Sequence, residues 1–191
     1  WVRELEGRGV EVTVAACDVS VSESVHALMG LVSSRAPLRG VIHTAGVIDD
    51  GMVGSLDAVR LGRVLAPKVN GAWHLHCATR ELELDFFVLY SSLAGLLGNV
   101  GQSNYAAANT FMDGLAHLRW SQGLPALSVL WGPWSEGGMA AALSEGDRAR
   151  MARQGIELLS DERAMDLLER ALFADNPTSV AVALDLNAYQ R

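Results

Sequence analysis

The sequence predicts an α/β fold, a doubly wound parallel sheet with helices on both faces. Three observations carry that expectation. Short apolar runs alternate along the chain with longer stretches of helical periodicity. The interval between successive runs is long enough for a crossover helix, which parallel pairing requires. Polar and glycine clusters follow the runs, at Asp18, Thr44-Ala45-Gly46, Ser91-Ser92 and Gly132-Pro133-Trp134. The carboxyl ends of parallel strands are where such sheets bind ligands.

The elements follow in order. Residues 11–16 alternate, with Val12 and Val14 on one face, and read as a short strand ending at Cys17-Asp18. Ser20-Val-Ser-Glu23 fits a capping box ahead of a stripe of Val25, Leu28, Met29 and Val32, so a helix is expected there. Residues 38–43 read as a strand. Residues 55–65 and 67–79 read as helices, with Pro67 in a first turn that needs no amide donor. Residues 86–90 form an apolar strand, followed by a loop spaced by Gly95, Gly98 and Gly101. A long helix over 104–122 is stopped by Gly123 and Pro125. A strand at 126–130, a Gly/Pro/Trp-rich loop, helices at 147–154 and 161–174 and a strand at 179–184 complete the chain.

At 191 residues the chain is one domain by length, spanning 1–191. Half of it is apolar and 19% is charged, enough core and too little charge for a disordered chain. A net charge of −7 opposes nucleic-acid binding, which needs clustered Lys and Arg. No apolar run is long enough for a membrane span. Cys17 and Cys77 stand far apart and form no CxxC pair, so they read as reduced, buried thiols of a cytoplasmic protein. The opening residues Trp1 to Glu6 read as the end of a helix already under way. Gly7-Arg-Gly9 precedes a strand, so no Gly-rich phosphate loop joins a first strand to its helix. A first βαβ unit carrying that loop is therefore expected ahead of Trp1.

Of the 15 basic residues, 14 are Arg, and Lys68 is the single Lys. An ammonium has a tunable pKa that a guanidinium lacks. Tyr105 and Asn109 are four apart on one helix and share a face. Ser92 ends the preceding strand. A hydroxyl, a phenol, an amide and an ammonium together could polarise a carbonyl and deliver a proton. The same residues could equally be caps and satisfied surface groups. The histidines His43, His74, His76 and His117 make no metal-binding pattern and read as structural or exposed, so no metal site is expected. The five tryptophans are expected mostly in the core or a lid.

Ser92 with Tyr105-Ala-Ala-Ala-Asn109 resembles the active site of the short-chain dehydrogenase/reductases. In the broad family a Lys follows the Tyr by four residues and an Asn lies on the earlier helix. Here Asn109 takes the later place and Lys68 the earlier one, which resembles the ketoreductase domains of modular polyketide synthases and animal-type fatty acid synthases. The likeness continues through Ala16-Cys-Asp18-Val19, Gly40-Val-Ile-His-Thr-Ala-Gly46-Val47, Pro67-Lys68-Val69-Asn70-Gly71, Leu89-Tyr-Ser-Ser92, Gly101-Gln-Ser-Asn-Tyr105 and Trp131-Gly-Pro-Trp134-Ser-Glu-Gly-Gly-Met139, nearly the whole chain.

The resemblance implies a Rossmann-like reductase that uses NADPH. Its substrate would be a β-ketoacyl chain held through phosphopantetheine on an acyl carrier protein, with neighbouring synthase domains as further partners. Tyr105 would protonate the carbonyl oxygen and Ser92 would hydrogen-bond it. Lys68 would lower the phenol pKa and, with Asn109, support proton relay and ribose contact. Asp18 and Val19 would flank the adenine; Thr44, Ala45 and Gly46 would line the cofactor; Pro133 and Trp134 would approach the nicotinamide. Ile48-Asp49-Asp50 resembles the Leu-Asp-Asp motif of the class that sets a D-configured hydroxyl. The opposite class has a Trp where Leu97 stands. Asn104 also fits the D-setting class, whereas Val100 stands where that class often has Pro. Gln102 and Met139 are expected to help place the substrate. Two further readings stay open: an epimerase acting at the α-carbon, and an inactive domain kept for structure.

Overall fold

A computed structural model describes residues 1–135 and 145–189. Met139 lies outside the described residues. Four parallel strands form the central sheet: β1 (Gly40–His43), β2 (Phe86–Ser92), β3 (Leu127–Trp131) and β5 (Thr178–Ala181), in the order β1-β2-β3-β5. Ser92 stands level with Trp131, and Trp131 with Ala181, so three strands end side by side. The short strands β4 (Ile156–Glu157) and β6 (Ala183–Leu184) pair antiparallel apart from this sheet.

The two faces of the sheet are covered by different helices. Alternation along β2 sends Phe87 and Leu89 one way and Val88 the other. Phe87 and Leu89 pack with Val25 of α2 (Ser22–Ser33), Ala72 and Leu75 of α4 (Gly71–Thr79), and Met112, Leu115 and Ala116 of α6 (Ser103–Ser121). Val88, with Leu127, Val129 and Trp131 of β3, packs against Ala164 and Ala171 of α8 (Asp161–Leu172). Helices on both faces explain why the middle strands read as continuous apolar runs. The remaining helices are α1 (Val2–Gly7), α3 (Ala58–Leu65), α5 (Ala94–Leu97), α7 (Glu145–Arg153) and α9 (Leu186–Tyr189).

Several local expectations are corrected. Residues 11–16 form no strand: the alternation is present, but among the described residues the segment finds no ladder partner, and Val14 is 79% exposed. The capping box at Ser20 does not form. Val21 is the N-cap of α2, and the Ser20 hydroxyl donates to Asp18 Oδ1 at 2.7 Å. The expected helix over 55–65 begins at Ala58, where Asp57 accepts from the Arg60 amide and caps the first turn. Residues 67–79 are not one α-helix: Ala66–Asn70 is a π-helical turn leading into α4.

The last run, 179–184, divides into β5 and β6. Both cysteines are free thiols, yet neither is fully buried: Cys77 is exposed, and Cys17 is half-buried at the edge of the core that includes Val25 and Phe87. The tryptophans too are less buried than expected. Trp131 is in the core, whereas Trp1, Trp73 and Trp120 are exposed. Trp73 and Trp120 sit on the outer faces of α4 and α6. No described helix is long and apolar enough to cross a membrane.

Candidate active site

A cleft of about 510 Å³ opens at the carboxyl ends of the strands. Its walls include Ser92 from the end of β2, Tyr105 from the first turn of α6, and Lys68 from the π turn. Asn109 lies one turn behind Tyr105, fully buried beneath the wall.

Each group is fixed locally. Lys68 is 2% exposed, and its ammonium donates to the Tyr90 carbonyl at 2.9 Å and lies 5.4 Å from the centroid of the Tyr105 ring. Burial lowers its pKa to about 8, against the pull of Asp113 in the other direction. The π turn that carries Lys68 is tied down by His43, whose Nε2 is 3.0 Å from the Pro67 carbonyl. A carbonyl only accepts, so Nε2 carries the proton. Burial and the nearby Lys68 charge hold His43 at about 4, hence neutral near pH 7.

The Ser92 hydroxyl oxygen accepts from the Ala94 amide at 3.2 Å, at the start of α5. Asn109 Nδ2 donates to the Tyr105 carbonyl at 2.8 Å; its Oδ1 is buried and accepts no hydrogen bond among the described residues. The Tyr105 phenol departs from expectation. Its pKa is raised above 10, because burial outweighs the hydrogen bonds with Asn109 and Ser92 that favour ionisation, and the nearby Asp50 charge also raises it. The Lys68 ammonium faces the ring, 5.4 Å from its centroid.

Sequence reasoning overlooked Asp113, two turns beyond Tyr105 on the same face of α6. Its carboxylate accepts from the Ser128 hydroxyl at 2.6 Å, and burial raises its pKa. The spacing Tyr105, Asn109, Asp113 could have revealed it. His43, expected only as a structural or exposed residue, buttresses the turn that carries Lys68. Tyr90 and Trp131 complete the floor of the cleft, with ring centroids 5.2 Å apart. Trp131 and Trp134 meet edge to face at 5.1 Å.

Of the residues expected at the cofactor, Thr44, Pro133 and Trp134 line this cleft with Lys68 and Tyr105. Val19, Thr44 and Ala45 line a second groove of about 290 Å³ beside β1. Gly46 follows them in the chain and lines neither cavity. Asp18 is exposed, and its carboxylate holds the Ser20 amide and hydroxyl, which lowers its pKa. Leu97 and Gln102 line the cleft. Asp49 and Asp50 do not; Ile48, just before them, does. The described residues contain no cluster of three or more potential metal ligands.

The parallel α/β sheet is of the Rossmann-like kind found in ketoreductase domains. The family model described as "KR domain" matches residues 1–136, and the chain belongs to that family. It is 47% identical over 189 residues to the phenolphthiocerol synthesis polyketide synthase Pks15/1 of Mycobacterium marinum, covering 98% of this chain and 9% of that protein. It is 47% identical over 190 residues to polyketide synthase GfsE of Streptomyces halstedii, covering 99% of this chain and 5% of that protein. The chain thus spans a small fraction of these relatives. A protein of Mycobacterium tuberculosis named a putative inactive phenolphthiocerol synthesis polyketide synthase, Pks1, is 46% identical over 184 residues, covering 95% of this chain and 11% of that one.

Among solved structures, one described as A-type ketoreductases from a modular polyketide synthase superposes with a TM-score of 0.91 at 41% identity, covering 98% of this chain and 39% of that one. A C2-type ketoreductase from a modular polyketide synthase gives 0.88 at 31%, covering 99% and 41%.

Proposed function

We propose that this chain carries the reducing site for a β-ketoacyl thioester, presented on the phosphopantetheine arm of an acyl carrier protein within a larger synthase. The observation that supports this reading is the convergence of Ser92, Tyr105 and Lys68 on one cleft, with Asn109 behind them. The aromatic and apolar wall of Trp131, Pro133, Trp134 and Ile156 beside one buried ammonium suits a flat, uncharged ring. KR domains are nicotinamide-dependent, and we infer NADPH as the cofactor. When bound it supplies the hydride that reaches the β-carbon.

Tyr105 starts protonated, because burial holds its pKa above the ordinary value. It is therefore ready to give a proton without any prior step. As the β-carbon takes the hydride pair, the C=O π electrons move to oxygen, and Tyr105 Oη delivers its proton there. Ser92 hydrogen-bonds the same oxygen and favours the developing negative charge. Lys68, positive below about pH 8, stabilises the phenolate left on Tyr105. Asn109 holds the first turn of α6 through the Tyr105 carbonyl, with its Oδ1 buried behind the wall.

For the product we infer the D configuration, on Ile48-Asp49-Asp50 in the loop, Leu97 in place of a Trp, and Asn104 before Tyr105. The likeness to an A-type structure favours a second reading, in which the outcome follows that class. A third is epimerisation of the α-carbon without net reduction, and a fourth is an inactive domain, in line with the name of the Pks1 relative. One experiment separates them. The full polypeptide is given a β-ketoacyl thioester with an α-substituent, and NADPH oxidation and the chirality of the product are followed. Stoichiometric oxidation with D-hydroxy product is expected. An L-hydroxy product overturns the stereochemical assignment. Exchange at the α-carbon without oxidation, or no reaction at all, overturns reduction.

A further inference from the structure

We propose that Arg60, which lines no part of the cleft, is a positioning residue that holds the Asp49–Gly51 turn against the segment leading into Tyr105. Through that turn it fixes how a substrate lies beside the phenol. This rests on the reductive reading above.

Arg60 sits in the first turn of α3, 30% exposed. Its guanidinium makes three bonds to one stretch of chain. Nε donates to Asp49 Oδ1 at 2.8 Å, the second terminal nitrogen donates to the Asp50 carbonyl, and the first donates to the Ser55 carbonyl at 3.3 Å. A planar fork suits this task, and an ammonium does not. Among the described residues Arg63 makes one bond, to Asp49 Oδ2 at 2.8 Å, and is 62% exposed.

The turn so held is bonded in three places to the other side. The Gly51 amide donates to the Gly101 carbonyl at 2.8 Å; Gln102 Nε2 donates to Asp50 Oδ2 at 2.8 Å; and Asn104 Nδ2 donates to the Asp49 carbonyl at 2.9 Å. The buried Asn104 then accepts the Tyr105 amide at 2.8 Å through its own Oδ1. A continuous chain of bonds thus runs Arg60, Asp49, Asn104, Tyr105. The wall it braces carries two cleft residues, Ile48 and Gln102. Release of Arg60 leaves Asp49 still paired with Arg63, so the fold has no reason to collapse, while the turn loses its anchor to Asp50 and Ser55.

The test compares Arg60→Ala, Arg60→Lys and Arg63→Ala in the full polypeptide. Product configuration, KM and kcat are measured with a β-ketoacyl thioester, and amide hydrogen exchange is read over 47–51 and 101–105. Arg60→Ala should erode the configurational ratio and raise KM about tenfold, as small misplacements near reacting atoms do. It should also speed exchange in both segments. Arg60→Lys should fall between, and Arg63→Ala should match wild type. Unchanged ratio, KM and exchange in Arg60→Ala overturn the proposal, as does an equal effect of Arg63→Ala. If the wild-type polypeptide makes no hydroxy product, reduction fails on its own account. Exchange, which needs no turnover, then decides whether Arg60 braces the turn.

Discussion

The Lys68 ammonium lies over the face of the Tyr105 ring, with its hydrogen bond directed to the Tyr90 carbonyl. The pair is electrostatic across the ring, so Lys68 supports the phenolate once it forms and leaves the resting phenol protonated.

Lys68 has its pKa lowered to about 8, so it is positive below that value and neutral above. The reductive rate should hold to near pH 8 and fall as pH rises through it. The measurement is kcat/KM for the full polypeptide across pH 6 to 10, a span of about two units either side of the transition. A flat profile would show that the charge on Lys68 does no work in the reaction.

Asp113 raises the Lys68 pKa against burial. Asp113→Asn removes that charge and keeps the shape, so the alkaline fall in rate should move to lower pH. Ser128→Ala, which removes only the hydrogen bond to Asp113, serves as the comparison. If both variants left the fall where it is in wild type, Asp113 would be a packing residue and nothing more.

Tyr105→Phe deletes the proton donor and leaves the ring beneath Lys68 in place. A loss in kcat of about two orders of magnitude is expected, the usual worth of a general acid. The burial of Tyr105 makes a thermal scan of the variant necessary alongside the rate. A stable variant with near wild-type turnover would remove Tyr105 from the mechanism.

His43 titrates at about 4 in the fold against 6.5 for the free group. Between those values the unfolded chain binds more protons than the folded one. Stability should therefore fall as pH drops from about 6.5 to about 4. His43→Gln removes that proton uptake. Its urea midpoint should decline less steeply over this range. Parallel declines in the two proteins would refute the assignment of the acid limb to His43.

The sheet was legible because burial on both faces writes strands such as 86–92 and 127–131 as unbroken apolar runs. Alternation at Val12 and Val14 was the same kind of signal, yet a strand also needs a neighbour, and pairing is not written in the segment itself. Ser92, Tyr105 and Asn109 were legible from their spacing, and Lys68 from its solitude among arginines. The sign of the Tyr105 shift was not, because burial is set by residues distant in sequence. The bonds of Arg60 to Asp49 and of Asn104 to the Asp49 carbonyl were hidden for the same reason. Asp49 and Asn104 stand 55 positions apart, and no pattern in the sequence joins them.

The π turn at Ala66–Asn70 has a consequence for how this stretch can change over time. Such a turn holds one residue more than an α turn. Loss of a single residue there would return the turn to α geometry and leave α3 and α4 in phase, whereas the same loss inside either helix would rotate one against the other by about 100°. The extra residue sets where Lys68 stands, while Ala72 and Leu75 keep their place on the sheet with or without it. A library of single deletions across 60–79 should therefore keep folded protein for losses at 66–70 and lose it for losses elsewhere, with reductive turnover lost in both groups.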